Sequence, residues 1–425
     1  MGNRPKMLML ILLLLLTARV VIMVPNTSFF GSYIELDPSF EAALRIRYPE
    51  LFGIFGGITQ ERAGEVVELN LNLGRADQRL PTFEPIASLA GIEYFTAVEQ
   101  LGVNYNYLTE LDLSNNTTLV SFQANNNRLS VLKLPESAVL EWFSARGNQL
   151  LQLDLPSNLQ LISLDVSGNL LTELDLSCNI ALERIDVSNN LLTTIDVSHH
   201  PELRWIFVQR NRLTQLNLSN NPLIVSLGVR YNQLTEIDTS NLTELQFFTL
   251  SANQITELDL SSNTILSWLD ISENLLIEID LSNNTSLSLL DISGRFLSEL
   301  DLTNNPELRF LYANGNFLTE LDTSNNPRLR QLEVSNNLIT NLDLSNNPLL
   351  ERLDVSGNLL TKIDILSNIE LGNSDHGVVH RGEYLQGLVD LRHNRIESPD
   401  DIVGWEYNPA LVPEYNFFFY PQQVR

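Results

Sequence analysis

From Leu108 to Leu360 the chain returns to one pattern every 21 residues, with no insertion or deletion between copies. A fixed period of this kind means that each copy is a unit stacked on the next, which is a solenoid. In the copy that begins at Leu171, LTELDLSCN places apolar residues at Leu171, Leu174 and Leu176 and ends on Asn179. LERIDVSNN then places Leu182, Ile185 and Val187 and ends on Asn190. Both halves read L-x-x-L-x-L-x-x-N.

One copy makes one coil. A coil of half that length would have a perimeter of only about 33 Å, too little to enclose two facing layers of side chains that need ~10 Å between them. The whole unit therefore closes one turn, and the sequence predicts a short strand in each half. In each half the alternation L-x-L aims two side chains inward and their neighbours outward. Coils repeating every ~4.8 Å give a rod or arc about 60 Å long for a dozen copies. The Asn that closes each half has an architectural role. A turn leaves backbone N–H and C=O groups to satisfy, and Asn supplies both a donor and an acceptor to the coil beside it. Arg295 takes one of these Asn places, in DISGRFLSEL, and the ladder is expected to loosen there.

L-x-x-L-x-L-x-x-N marks the leucine-rich repeats, and two nested halves in one unit resemble the IRREKO type of bacterial leucine-rich repeat. The resemblance holds from Leu108 to Asn368, with one preceding half in VEQLGVNYN (Val98 to Asn106). It implies a mainly β solenoid with parallel strands in 21-residue coils, similar to secreted internalin-like surface proteins, and a function in binding. The expected organisation is a signal peptide or anchor over 1–28, an N-terminal cap over 29–97, the solenoid over 98–371, and a final repeat with a C-terminal cap over 372–425.

An open solenoid end exposes its core and has to be covered. Asp37 to Asn72 reads as a helix, a loop, a second helix and a first strand. It resembles the N-terminal segment of secreted bacterial leucine-rich repeat proteins, where a helix pair flanks a calcium-type loop. Aligning Ile58 with that loop's Ile keeps Gly56 as the turn glycine and puts Leu51, Gly53, Phe55 and Arg62 at the ligand positions. Hard cations need oxygen ligands, so the resemblance implies a small helical cap that has lost its metal. Downstream, the period breaks after Asn368, one repeat-like half returns at Gly387 to Ile396, and Ser398 caps a short helix. Trp405 and Phe417 to Tyr420 then form an irregular aromatic C-terminal cap over the last coil, with an adhesive aromatic tail as the alternative.

At the N-terminus, Arg4 and Lys6 precede MLMLILLLLLTA (Met7 to Ala18), a short apolar run of the secretory-signal kind. Arg19 followed by VVIMVP leaves an uncleaved anchor open as the alternative. The expected location is secreted or cell surface, with no other membrane contact. The formal charge of -26 disfavours nucleic acid and anionic lipid as partners. Cys178 is the only cysteine, so no internal disulfide forms and the core has to supply the stability.

Catalysis finds little support. There is no nucleotide loop, nucleophile elbow or zinc-protease motif. His376 and His380 lie in a Gly- and Val-containing segment that disfavours the helix a metal pair at that spacing would need, and the reading is a solvated loop. His199 and His200 fill a turn place that other copies give to Ser-Asn or Asn-Asn. The first-half carboxylates, such as Asp175, Asp196, Asp238 and Asp259, form a repeated ladder of like charge. They have to splay, hydrogen-bond to nearby Ser or Thr, or gather cations; a solvated acidic face is expected, with weak calcium binding as the alternative. No catalytic residue, cofactor or metal is assigned.

The outward positions of the second half differ from coil to coil. Down one column run Trp142, Ser163, Arg184, Trp205, Ser226, Phe247, Trp268, Leu289 and Phe310. Phe207 and Tyr312 occupy the other outward strand position, Arg204 precedes Trp205, and Arg146, Arg210, Arg230 and Tyr231 fall in the turns that follow. Aromatic residues mixed with Arg are what interface centres use. The candidate partner-binding set is therefore Trp142, Arg146, Arg204, Trp205, Phe207, Arg210, Arg230, Tyr231, Phe247, Trp268, Phe310 and Tyr312. The competing reading is that these side chains lie over one another and only shield the sheet. The expected protein is a monomeric binding scaffold for a protein partner, with a glycan, or no specific ligand at all, as alternatives.

Overall fold

A computed structural model describes residues 32–73, 83–136, 139–155, 158–373, 379–380, 383–384, 389–408, 410–411, 417–420 and 422. The apolar N-terminal run and His376 lie outside these residues.

The repeated inward residues build one continuous core. In the copy discussed above, Leu171, Leu176, Leu182, Ile185 and Val187 are all buried. The outcome is a 16-stranded parallel sheet, each internal coil adding one short strand in register with the last. Trp205–Phe207, for example, pairs residue for residue with Arg184–Asp186 on one side and Ser226–Gly228 on the other. At ~4.8 Å per strand the sheet is roughly 70 Å long.

The expectation of a strand in every half needs correcting. The second halves form the sheet, whereas among the described residues the first halves pair at Glu110–Asp112 with Val131–Lys133, at Ile363–Asp364 with Ile402–Val403, and in a single bridge between Asp343 and Asp364. The first-half column is mostly Asp stacked on Asp, and at the first ladder Asp112 faces Lys133 instead. Lys133 Nζ lies 2.9 Å from Asp112 Oδ2, which turns repulsion into attraction.

The Asn ladder runs along both edges of the sheet-forming half. Asn190 donates from Nδ2 to the carbonyls of Val166 and Val187 at 3.0 Å, and its Oδ1 accepts from Leu171 N at 3.0 Å. At Arg295 this pattern stops. Ile255 N and Leu297 N still meet Asn274 and Asn316, but Leu276 N between them meets no Asn oxygen, and Arg295 is exposed.

Both ends are covered. Asp37 caps the helix Pro38–Arg47 by accepting from Ser39 N, and Phe40, Ala43 and Leu44 of that helix are buried. The short helix Gln60–Ala63 and the first strand Glu68–Asn70 follow. In the loop between, Gly56 has φ +80°, the left-handed region that glycine enters without strain. Arg62 Nη1 donates to Leu51 O at 3.3 Å and Arg45 donates to Gly56 O, so two guanidinium groups hold the carbonyls of this loop. At the other end the sheet resumes at Val389–Asp390 and closes with Phe417–Phe418. Ser398 caps Pro399–Asp401 in a capping box, and Trp405 stacks on Phe417 at 5.8 Å.

Candidate functional site: the outer face of the sheet

Parallel register brings the variable column into contact across the strands. Trp205 lies beside Ser226, Ser226 beside Phe247, Phe247 beside Trp268, and the line continues through Leu289 to Phe310. Trp142 stands apart, separated from Trp205 by Ser163 and Arg184.

Exposure divides the candidate residues. Trp142 (47%), Phe247 (44%), Tyr231 (42%) and Trp205 (36%) present large apolar area to solvent. Arg146, Arg210 and Arg230 are exposed, while Arg204, Phe207, Trp268 and Phe310 are half-buried. Tyr312 is only 3% exposed and leaves the contact set. Neighbouring Leu289, Asp291 and Gln331 are buried too. With strands ~4.8 Å apart, large side chains on consecutive strands cover one another. From Leu289 to Gln331 the outward side chains shield the sheet, whereas from Trp205 to Phe247 they stand open.

Small residues create that opening. Ser226 and Gly228 form the strand between Trp205–Phe207 and Phe247–Thr249. A Cβ at Gly228 would come within 2.5 Å of Gln209 Nε2 and 3.0 Å of the Phe207 ring. The missing side chain lets Phe207 and Gln209 lie down across the strand. Arg184 then covers Phe207, its guanidinium carbon 4.9 Å from the ring centroid, and Arg210 covers Tyr231 at 4.4 Å. Each cation–π contact holds a long side chain in place without a carboxylate. Gly228, Gln209 and Arg184 were not singled out as contact residues by sequence reasoning; their place in the same columns, one coil from Phe207, Arg230 and Trp205 respectively, is the signal that would have found them.

The carboxylates of the two halves behave oppositely. In the first half, Asp175, Asp196, Asp238, Asp259 and Asp280 are held below the usual carboxylate range by hydrogen bonds from the Ser two residues on. Asp112 is lowered to about 2 by Ser114 and Lys133. Hydrogen bonding to the nearby Ser, one of the outcomes open to this ladder, is present along it. On the sheet, Asp186, Asp270 and Asp354 are pushed up, in each case chiefly by burial, and Asp291 adds like charge beside Asp270. Among the described residues no group of three or more His, Cys, Asp or Glu side chains is placed to hold a metal ion.

His200 belongs to the architecture. It is buried in the first-half Asn position, with Nε2 3.2 Å from Leu176 O, and burial lowers its pKa. No helix among the described residues is long and apolar enough to cross a membrane.

No protein-family model and no curated protein matches the chain. Solved structures do. The functional domain of InlJ from Listeria monocytogenes is similar at 27% identity and a TM-score of 0.78, over 91% of this chain and 81% of that one. YopM from Yersinia pestis is similar at 26% identity and a TM-score of 0.61, over 85% and 90%. The internalin InlF of Listeria monocytogenes shares the fold at 23% identity and a TM-score of 0.61, over 80% and 95%. The InlJ domain includes a cysteine ladder; here the repeated side-chain ladders are of Asn, and Cys178 stands alone. With its unbroken coil, its twin L-x-x-L-x-L-x-x-N halves and this likeness to the InlJ domain over most of its length, the chain folds as a leucine-rich repeat solenoid.

Proposed function

We propose that the protein is an exported binding scaffold that captures a protein partner on the outer face of its sheet, centred on Trp205, Tyr231 and Phe247. One observation carries the reading. Trp205 and Phe247 stand exposed on the two strands that flank Ser226–Gly228, with Tyr231 exposed in the turn beyond, whereas Trp142 is exposed alone and the outward side chains from Leu289 to Gln331 shield one another. Leaving that much apolar area in water costs solubility and gains the fold nothing, which is the mark of a recognition surface. The fold itself is a general protein-interaction scaffold, and its likeness to internalins supports this use. Export rests on the apolar N-terminal run.

The test is retention of partner by the immobilised protein and by its Trp205→Ser/Phe247→Ser variant. Loss of capture by at least about tenfold, about 1.4 kcal/mol, is expected, with the unfolding midpoint unchanged because both side chains are surface groups. Capture that survives the double substitution would refute the reading. A glycan retained in place of protein would redirect it to carbohydrate.

A further inference from the structure

The chain carries 52 acidic and 26 basic residues, yet one window of the sheet contains no carboxylate. At the first outward position, Trp205, Ser226 and Phe247 follow one another; at the second, Phe207, Gly228 and Thr249 lie between Asp186 and Asp270. At the entry to each strand, Arg204, Val225 and Gln246 follow Glu183, and at the exit, Gln209, Arg230 and Ser251 follow Ser188. Gln209 reaches over Gly228, which puts its column, and so Arg230, on the face of the sheet. The window is therefore an apolar patch with Arg204 at one end of the strands and Arg210 and Arg230 at the other.

These arginines are not answered within the molecule. Some exposed cations elsewhere pair with acids, as Lys133 does with Asp112 and Arg328 with Glu307, while others, such as Arg146 and Arg295, form no ion pair among the described residues. Among the described residues, Arg204, Arg210 and Arg230 lie within ion-pair distance of no carboxylate, and Arg210 rests on Tyr231 instead. On a chain of charge -26, unpaired arginines gathered where the acids are missing form a local inversion of sign.

Resting on the reading that this face binds protein, we infer that its partner presents an acidic segment: Asp or Glu side chains flanking apolar ones, laid across the strands from Trp205 to Phe247. Guanidinium groups at the two ends would take the carboxylates in charge-assisted pairs. Trp205, Phe207 and Phe247 would cover the apolar residues between. The layout favours a peptide over a polyanionic glycan. A glycan with charge at every unit needs a continuous row of cations, and here aromatic area separates them. The same arrangement discriminates against basic partners, which the rest of the surface attracts.

The test is selection of displayed random linear peptides on the full-length protein, with parallel selections on Trp205→Ser and on Arg204→Gln/Arg230→Gln. Peptides that require Trp205 are expected to carry Asp or Glu on either side of an aromatic or aliphatic residue, and to lose about tenfold or more in affinity on the double Arg variant. The charge-reversed Arg204→Glu/Arg230→Glu protein is expected to select Lys and Arg at the same peptide positions. Trp205-dependent peptides with no acidic enrichment would overturn this inference and leave the protein-binding reading standing. An absence of any Trp205-dependent peptide would overturn both. Heparin bound through Arg204 and Arg230, with no acidic peptide bound, would overturn it in favour of an anionic glycan.

Discussion

The two halves of each coil share one motif and have come to different ends. On the sheet side, Asn232 donates to the carbonyls of Val208 and Val229 and accepts from Leu213 N, so all its buried capacity is matched. On the other side, Asn221 donates to the carbonyls of Val197 and His200, but its buried Oδ1 accepts nothing. The same orphaned oxygen recurs at Asn179, Asn284, Asn305, Asn326 and Asn368. The Asp residues divide the same way: lowered by Ser hydrogen bonds where exposed, raised by burial on the sheet. The motif sets direction and turn chemistry. What lies over the residue decides its energy.

The largest effect should come from the matched ladder. Asn232→Ala removes one acceptor and two donors from buried partners and is expected to cost about 3 kcal/mol in urea unfolding. Asn221→Ala removes an orphan together with its donors and is expected to cost roughly 1–2 kcal/mol. Equal losses would erase the distinction between the halves.

A smaller effect should follow at the two places where the orphan is rescued. Thr239 and Thr323 replace the usual inward Leu of the first half, and their hydroxyls donate to Asn263 and Asn347 Oδ1 at 2.9 and 2.8 Å. Thr239→Val keeps the shape and removes the donor. A cost of about 1 kcal/mol is expected, and a gain in stability would show that the buried oxygen is no burden.

The pH response separates the halves again. Asp270 has a raised pKa in the folded protein, so its stabilising influence is full at acid pH and is lost as pH rises through that value. Asp270→Asn should therefore gain relative to wild type between acid and neutral pH, by on the order of 1 kcal/mol. Asp259, lowered in the fold, runs the other way: its contribution is present above the ordinary carboxylate range and fades as pH falls. His200 is lowered by burial and favours the fold while neutral, so its contribution is lost as pH drops below the ordinary imidazole value of 6.5. His200→Asn should flatten the acid side of the stability curve, and an unchanged curve would mean the ring is solvated there.

Much of this molecule could be read from its period. The inward positions of every coil, the closing Asn and the covered ends follow from the spacing of Leu, Ile and Val. The sequence could not show that one half would pair as a sheet while the other stays unpaired beside its stacked aspartates. Both halves carry the same L-x-L alternation, so the pattern alone does not choose between them. Periodicity could place Tyr312 and Trp205 on one face, but not reveal that Tyr312 is covered and Trp205 is not. Overlap between neighbouring strands decides that, and at Trp205 the neighbour is Ser226, with Gly228 drawing Phe207 aside. The pairing of Thr239 with Asn263 was hidden because the two lie one coil and one turn apart.

The central claim is that the aromatic window of the sheet, rather than any other exposed apolar surface, meets the partner. Leu275 and Phe317, in the residue position after the turn, are as exposed as Trp205 and Phe247 and serve as internal controls. Hydroxyl-radical footprinting of the protein with and without its captured partner compares them directly. The account predicts that Trp205, Tyr231 and Phe247 lose reactivity in the complex while Leu275 and Phe317 keep theirs; protection of Leu275 and Phe317 with Trp205 and Phe247 unchanged would contradict it.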